Sequence, residues 1–92
     1  MIRIQAAYNP GSITIAIDGQ LIGGYVAEVE ASIRKSMEQY KDVHLFLRNV
    51  SHIDEEGQAL LSRLAAQGVQ LSAAGPYNSH VITQIQLALS SR

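Results

Sequence analysis

The feature that most constrains this chain is a change of hydrophobic period. Residues 13 to 18 read Ile-Thr-Ile-Ala-Ile-Asp, which places Ile13, Ile15 and Ile17 on one side of an extended segment and Thr14, Ala16 and Asp18 on the other. From Gly24 to Tyr40 the apolar positions Val26, Val29, Ile33, Met37 and Tyr40 return at steps of three and four, the spacing of one helix face. A chain that switches from period two to period 3.6 within a few residues is committed to packing a helix on a sheet.

The same reading extends in both directions. Ile2, Ile4 and Ala6 alternate with Arg3, Gln5 and Ala7, and Asn9-Pro10-Gly11 is strong turn punctuation, so the first two strands are expected to form an antiparallel hairpin. VHLFLRNV (43 to 50) is the third strand, and residues 55 to 67 are helical, with Gly68 placed to end that helix. Val69, Leu71 and Ala73 give a short fourth strand. After Gly75-Pro76 a last helix is expected from about Ser79 to Leu89, with Asn78 or Ser79 as its cap.

The order β-β-α-β-α-β-α implies parallel pairing wherever a helix joins consecutive strands. Strands buried on both faces would be apolar throughout. Here Arg3, Gln5, Thr14, Asp18, His44, Arg48, Gln70 and Ser72 alternate with the apolar positions. The expectation is therefore one α/β domain over 1–92: a two-layer, four-stranded mixed sheet, a β-hairpin followed by βαβαβα, with the helices mainly on one face.

Several classes of function lose support at this point. The formal charge is −1 and the seven Lys and Arg residues are scattered, so no basic stripe invites nucleic acid. Cysteine is absent, which removes disulfides and thiolate chemistry. No apolar run nears the roughly 20 residues of a membrane span, and the amino terminus has no leader pattern, so a cytoplasmic protein is expected. Gly19, Gly23 and Gly24 match neither nucleotide fingerprint and read as a turn into the first helix. An anion at that helix start is the ligand-binding alternative. His44, His52 and His80 lack the spacing of a metal pair, and no metal or other cofactor is expected.

The informative stretch is Asp54-Glu55-Glu56-Gly57-Gln58. Asp54 follows the third strand where a helix cap belongs, and Glu55 and Glu56 favour the positive end of the helix. Successive side chains at a helix start splay by about 100°, so these carboxylates do not converge as a catalytic pair would, and no catalytic residue is assigned. Gly57 is costly early in a helix and suits a place where another backbone or a partner comes close.

Taken together, GQLIGGYVAEVEASI, VHLFLRNVSHIDEEGQALLSRL and GVQLSAAGP resemble the STAS domain family, the anti-sigma-factor antagonists and their relatives. The resemblance implies a non-enzymatic protein–protein interaction module in bacterial regulation, whose partner is an anti-sigma factor or a histidine-kinase-like ATPase. In that alignment Asp54 and Gly57 match the family's Asp and Gly. The hydroxyl residue that partner kinases phosphorylate falls at Glu56, and its serine neighbour at Glu55. Neither can accept phosphate, so the usual switch is missing; Ser51 is the remaining candidate acceptor. The docking surface implied is Leu21, Ile22, Gly23, Gly24, Asp54, Glu55, Glu56, Gly57, Gln58, Pro76 and Tyr77. Two alternatives stand beside it: a sensor for a nucleotide or other anion, and a homo-oligomeric scaffold subunit.

Overall fold

The computed structural model describes residues 1–90. Its elements follow the expected order: β1 (Ile2–Asn9), β2 (Ser12–Leu21), α1 (Gly24–Gln39), β3 (Asp42–Ile53), α2 (Glu55–Ala66), β4 (Gln70–Ala73) and α3 (Pro76–Ser90). The strands lie in the order β1-β2-β3-β4. The first pair is antiparallel and the other two are parallel.

The core occupies one side of this sheet. Ile13, Ile15 and Ile17 of β2 and Val43, Leu45 and Leu47 of β3 are buried against Val26, Val29 and Ile33 of α1, Leu60, Leu61 and Leu64 of α2, and Val81, Ile82 and Ile85 of α3. Removing branched side chains of this size from water contributes about 1.5–3 kcal/mol each, and the two central strands supply most of the sheet's buried ones. The opposite face carries Thr14, Asp18, His44 and Arg48, as the alternation requires, and Phe46 lies half-buried among them.

Two segments depart from the sequence reading. The final helix begins at Pro76, not at Ser79. A proline in the first turn forfeits an N–H that has no intrahelical partner, and its fixed φ suits the helix, so Gly75-Pro76 starts α3 as well as breaking the chain. Ser79 N–H already bonds Gly75 carbonyl, and Asn78 turns inward, its Nδ2 donating to Val50 carbonyl at 2.9 Å, so neither is the cap. The third strand also runs on to Ile53. Its pairing with β2 slips twice, between Ile17 and Asp18 and between Gly19 and Gln20. Each slip lets one residue of β3 loop out, so core positions beyond Leu47 come at steps of three, at Val50 and Ile53. Gly19, expected in a turn, lies inside β2 at φ +116°, with Met1 carbonyl crowding the place of any Cβ.

Candidate functional site

The parallel pairing of β2 and β3 brings Leu21 and Ile53 side by side at their carboxyl ends. The next residues start α1 and α2, so both helix starts open on one rim of the sheet. Asp54 joins them. Its backbone is extended (φ −86°, ψ −175°), its N–H donates to Leu21 carbonyl at 3.3 Å, and its Oδ1 accepts from Gly57 N–H at 2.8 Å. The expected cap of α2 is therefore present. The other oxygen, Oδ2, accepts from Gly23 N–H at 3.0 Å, a bond that reaches the start of α1. The N–H of Gly57, then that of Gly23, hold the Asp54 carboxyl below its ordinary range, and the charge of His52 adds to this.

Gly57 has an internal reason to be glycine. A Cβ there would lie 2.4 Å from Leu21 carbonyl oxygen and 2.9 Å from Ile53 Cγ2. The close approach comes from this chain's own β2. Gly57 is buried and Leu21 fully so, and these two expected contact residues therefore support the surface from beneath without forming part of it. Gly23, Gly24, Glu55, Glu56, Gln58, Pro76 and Tyr77 are exposed, while Ile22 and Asp54 are partly covered.

These exposed residues are divided by α2. On one side Glu56 lines a groove between α1 and α2 with Gly23, Val26, Ala27, Ala59 and Arg63. On the other, Gln58 and Tyr77 line a groove between α2 and α3 with Ser62, His80 and Gln84. The first groove holds an ion network that the sequence reading missed. Glu30 Oε2 accepts from Arg34 Nη2 at 3.1 Å and from Arg63 Nη2 at 3.4 Å. Ala27 and Ala59, exposed in the same groove, leave room for these longer side chains.

Chemically, the rim suits recognition. Both oxygens of Asp54 are taken by backbone donors, so it is not placed as a free base, and Glu55 and Glu56 project from successive positions of one turn. Among the described residues no cluster of three or more His, Asp or Glu side chains is placed to hold a metal, and no helix is long and apolar enough to cross a membrane. Away from the rim, His44 Nε2 and Ser72 Oγ meet at 2.7 Å on the open face of the sheet, a side-chain contact across the parallel β3–β4 pair that the element order implies. Ser51, the alternative phosphoacceptor, is exposed and its Oγ donates to Gly19 carbonyl at 3.3 Å.

No protein-family model and no curated protein matches the chain. Among solved structures it is similar to an anti-sigma factor antagonist from Mycobacterium paratuberculosis, at 16% identity and a TM-score of 0.81, over 98% of this chain and 82% of that one. The chain therefore shares the fold of an anti-sigma factor antagonist, as its sequence resemblance implies.

Proposed function

We propose that this protein is a non-enzymatic, STAS-like docking module that occupies a regulatory protein, of the anti-sigma factor or histidine-kinase-like ATPase type, by mass action. The observation that carries the reading is the Asp54 bridge between Gly23 and Gly57, which ties two helix starts into one rim. A preorganised surface loses less freedom on binding than a mobile one. Around the bridge, Ile22, Gly23, Gly24, Glu55, Glu56 and Gln58 form the contact surface, and Pro76 and Tyr77 extend it across α2. Glu56 is a permanent charge in an interface without a switch. A single carboxylate copies phosphate poorly, because a phosphoserine carries about −1.5 to −2.

The anion-sensor alternative is weakened by the same bridge. The Gly23 N–H that an anion would use is occupied by the protein's own carboxylate, and Glu56 lines the same groove as Gly23.

Affinity capture from the native host, followed by titration calorimetry with the captured regulator, tests the reading. Glu56→Lys is expected to weaken binding by about tenfold or more with an unchanged melting temperature. Equal affinity of Glu56→Lys and the wild type would remove the rim from the interface. Incubation with ATP and the partner kinase is expected to leave the mass unchanged; phosphate on Ser51 would overturn the absence of a switch.

A further inference from the structure

The sheet ends differently on its two sides. β4 is an edge of only four residues. β1 is an edge of eight, IRIQAAYN, with no proline, one charge, and a register against β2 that runs unbroken from Ile2–Gly19 to Asn9–Ser12. Exposed edges are ordinarily blunted by shortness, charge, proline or a bulge, and β1 has almost none of these. Most of its residues are exposed, Tyr8 by 65%.

The phase of the hairpin shows which backbone groups are unpaired. Gln20 N–H donates to Met1 carbonyl at 3.1 Å, across a directly opposed pair. Bonded and non-bonded pairs alternate along an antiparallel ladder. Arg3, Gln5, Ala7 and Asn9 therefore bond β2, and Ile2, Ile4, Ala6 and Tyr8 turn their N–H and C=O groups outward. We propose that this edge pairs antiparallel with β1 of a second copy of the chain, about a two-fold axis at Gln5, joining the two sheets into one.

The occupant follows from self-complementarity. Centred on Gln5, the pairing sets Ile2 opposite Tyr8 and Ile4 opposite Ala6, so every outward backbone group of those residues finds a partner in the other copy. These four side chains share the face that carries Ile13, Ile15 and Ile17, and Ile2 and Ile4 already pack against the core. The seam thus continues the apolar layer. On the other face Gln5 meets Gln5, and Arg3, the one charge, meets uncharged Ala7. The two Arg3 residues lie about 13 Å apart along the seam, too far to repel strongly in salt. A two-fold contact of this kind closes on itself.

The interface is small, and a dissociation constant on the order of tens of micromolar is expected. Sedimentation equilibrium of the full chain, from about 1 µM to 1 mM, should show a monomer–dimer equilibrium. Ala6→Pro removes an outward N–H while leaving the β2 ladder paired, and is expected to be folded and monomeric throughout. Ala7→Lys should weaken the dimer about fivefold and Ala7→Glu, facing Arg3, should tighten it; these two report even if the proline variant does not fold. Amide exchange at Ile4 and Ala6 should slow only in the dimer. A monomer at every concentration overturns the proposal. So does a dimer indifferent to Ala6→Pro with freely exchanging Ile4 and Ala6 amides. No docking partner is present in these measurements, so their failure leaves the rim's proposed role standing.

Discussion

The two helices that open on the rim begin in opposite ways. α2 has an aspartate cap and two acidic residues in its first turn. α1 is preceded at its cap position by Gly23, at φ +52°, without a side-chain cap of its own, and has no acidic residue in its first turn. One end is equipped by its own sequence, and the other is served from 31 residues away, through Asp54 Oδ2. The difference teaches that α1 is poorly capped only when considered alone. The second oxygen of one carboxylate supplies what its local sequence lacks, so the two starts form one unit.

The strongest way to break that unit is at Gly57. Gly57→Ala forces a Cβ onto Leu21 carbonyl, a backbone atom that cannot swing aside, and is expected to cost about 2–4 kcal/mol in denaturant unfolding. Its counterpart in the other helix, Gly24→Ala, meets nothing within 4 Å and is expected to be neutral or to stabilise by a few tenths of a kcal/mol. Comparable losses at the two sites would undo the contrast.

Next in size is the bridge. Asp54→Ala should lower the melting temperature by about 5 °C and speed amide exchange at both Gly23 and Gly57. Asp54→Ser keeps one acceptor for Gly57 and abandons Gly23, so only Gly23 should exchange faster. If both amides respond alike to serine, the two starts are not served separately by the two oxygens.

The pH dependence is smaller and has a defined sign. Gly57 and Gly23 lower the folded-state pKa of Asp54 below the ordinary value of 3.8. As pH falls, the unfolded chain takes up this proton first. The stabilisation is therefore complete above about pH 5 and is lost as pH drops through the depressed value. Asp18, held low by its hydrogen bonds from Arg48, contributes with the same sign. Thermal melts between pH 6 and pH 2 should show a shallower acid slope for Asp54→Ala than for the wild type. Asp18→Asn should remove a separate part, additive with the first because the two groups share no partner. The smallest expected effect is that of Glu56→Gln, which should leave stability within about 1 °C while changing partner affinity.

Much of this architecture was legible in the residues. The isoleucine alternation in β2, the three-and-four spacing in α1 and the polar residues between them all pointed to helices on one side of a mixed sheet, because burial on one face leaves a periodic trace. Asp54 was legible as a cap, since capping is local chemistry. Its second bond was not, because no local rule pairs residue 54 with residue 23. The start of α3 was misplaced because Gly-Pro punctuates a chain whether it ends one element or opens the next. Gly57 was legible as a tight spot, but only the pairing of Leu21 with Ile53 reveals that the crowding comes from within.

The two slips in β3 have a further consequence. By letting one residue loop out at each, the strand spends more chain than the distance it crosses between Leu47 and Asp54. Ser51 is the residue that loops out between the Gly19–Val50 and Gln20–His52 pairs, so deleting it would take up the slack, leave Ile53 opposite Leu21 and keep Asp54 within reach of Gly23. The slack thus works as a reserve of chain: the strand can lose its unpaired residue without moving the carboxylate, whereas the pairing of Leu21 with Ile53 is what fixes where Asp54 stands.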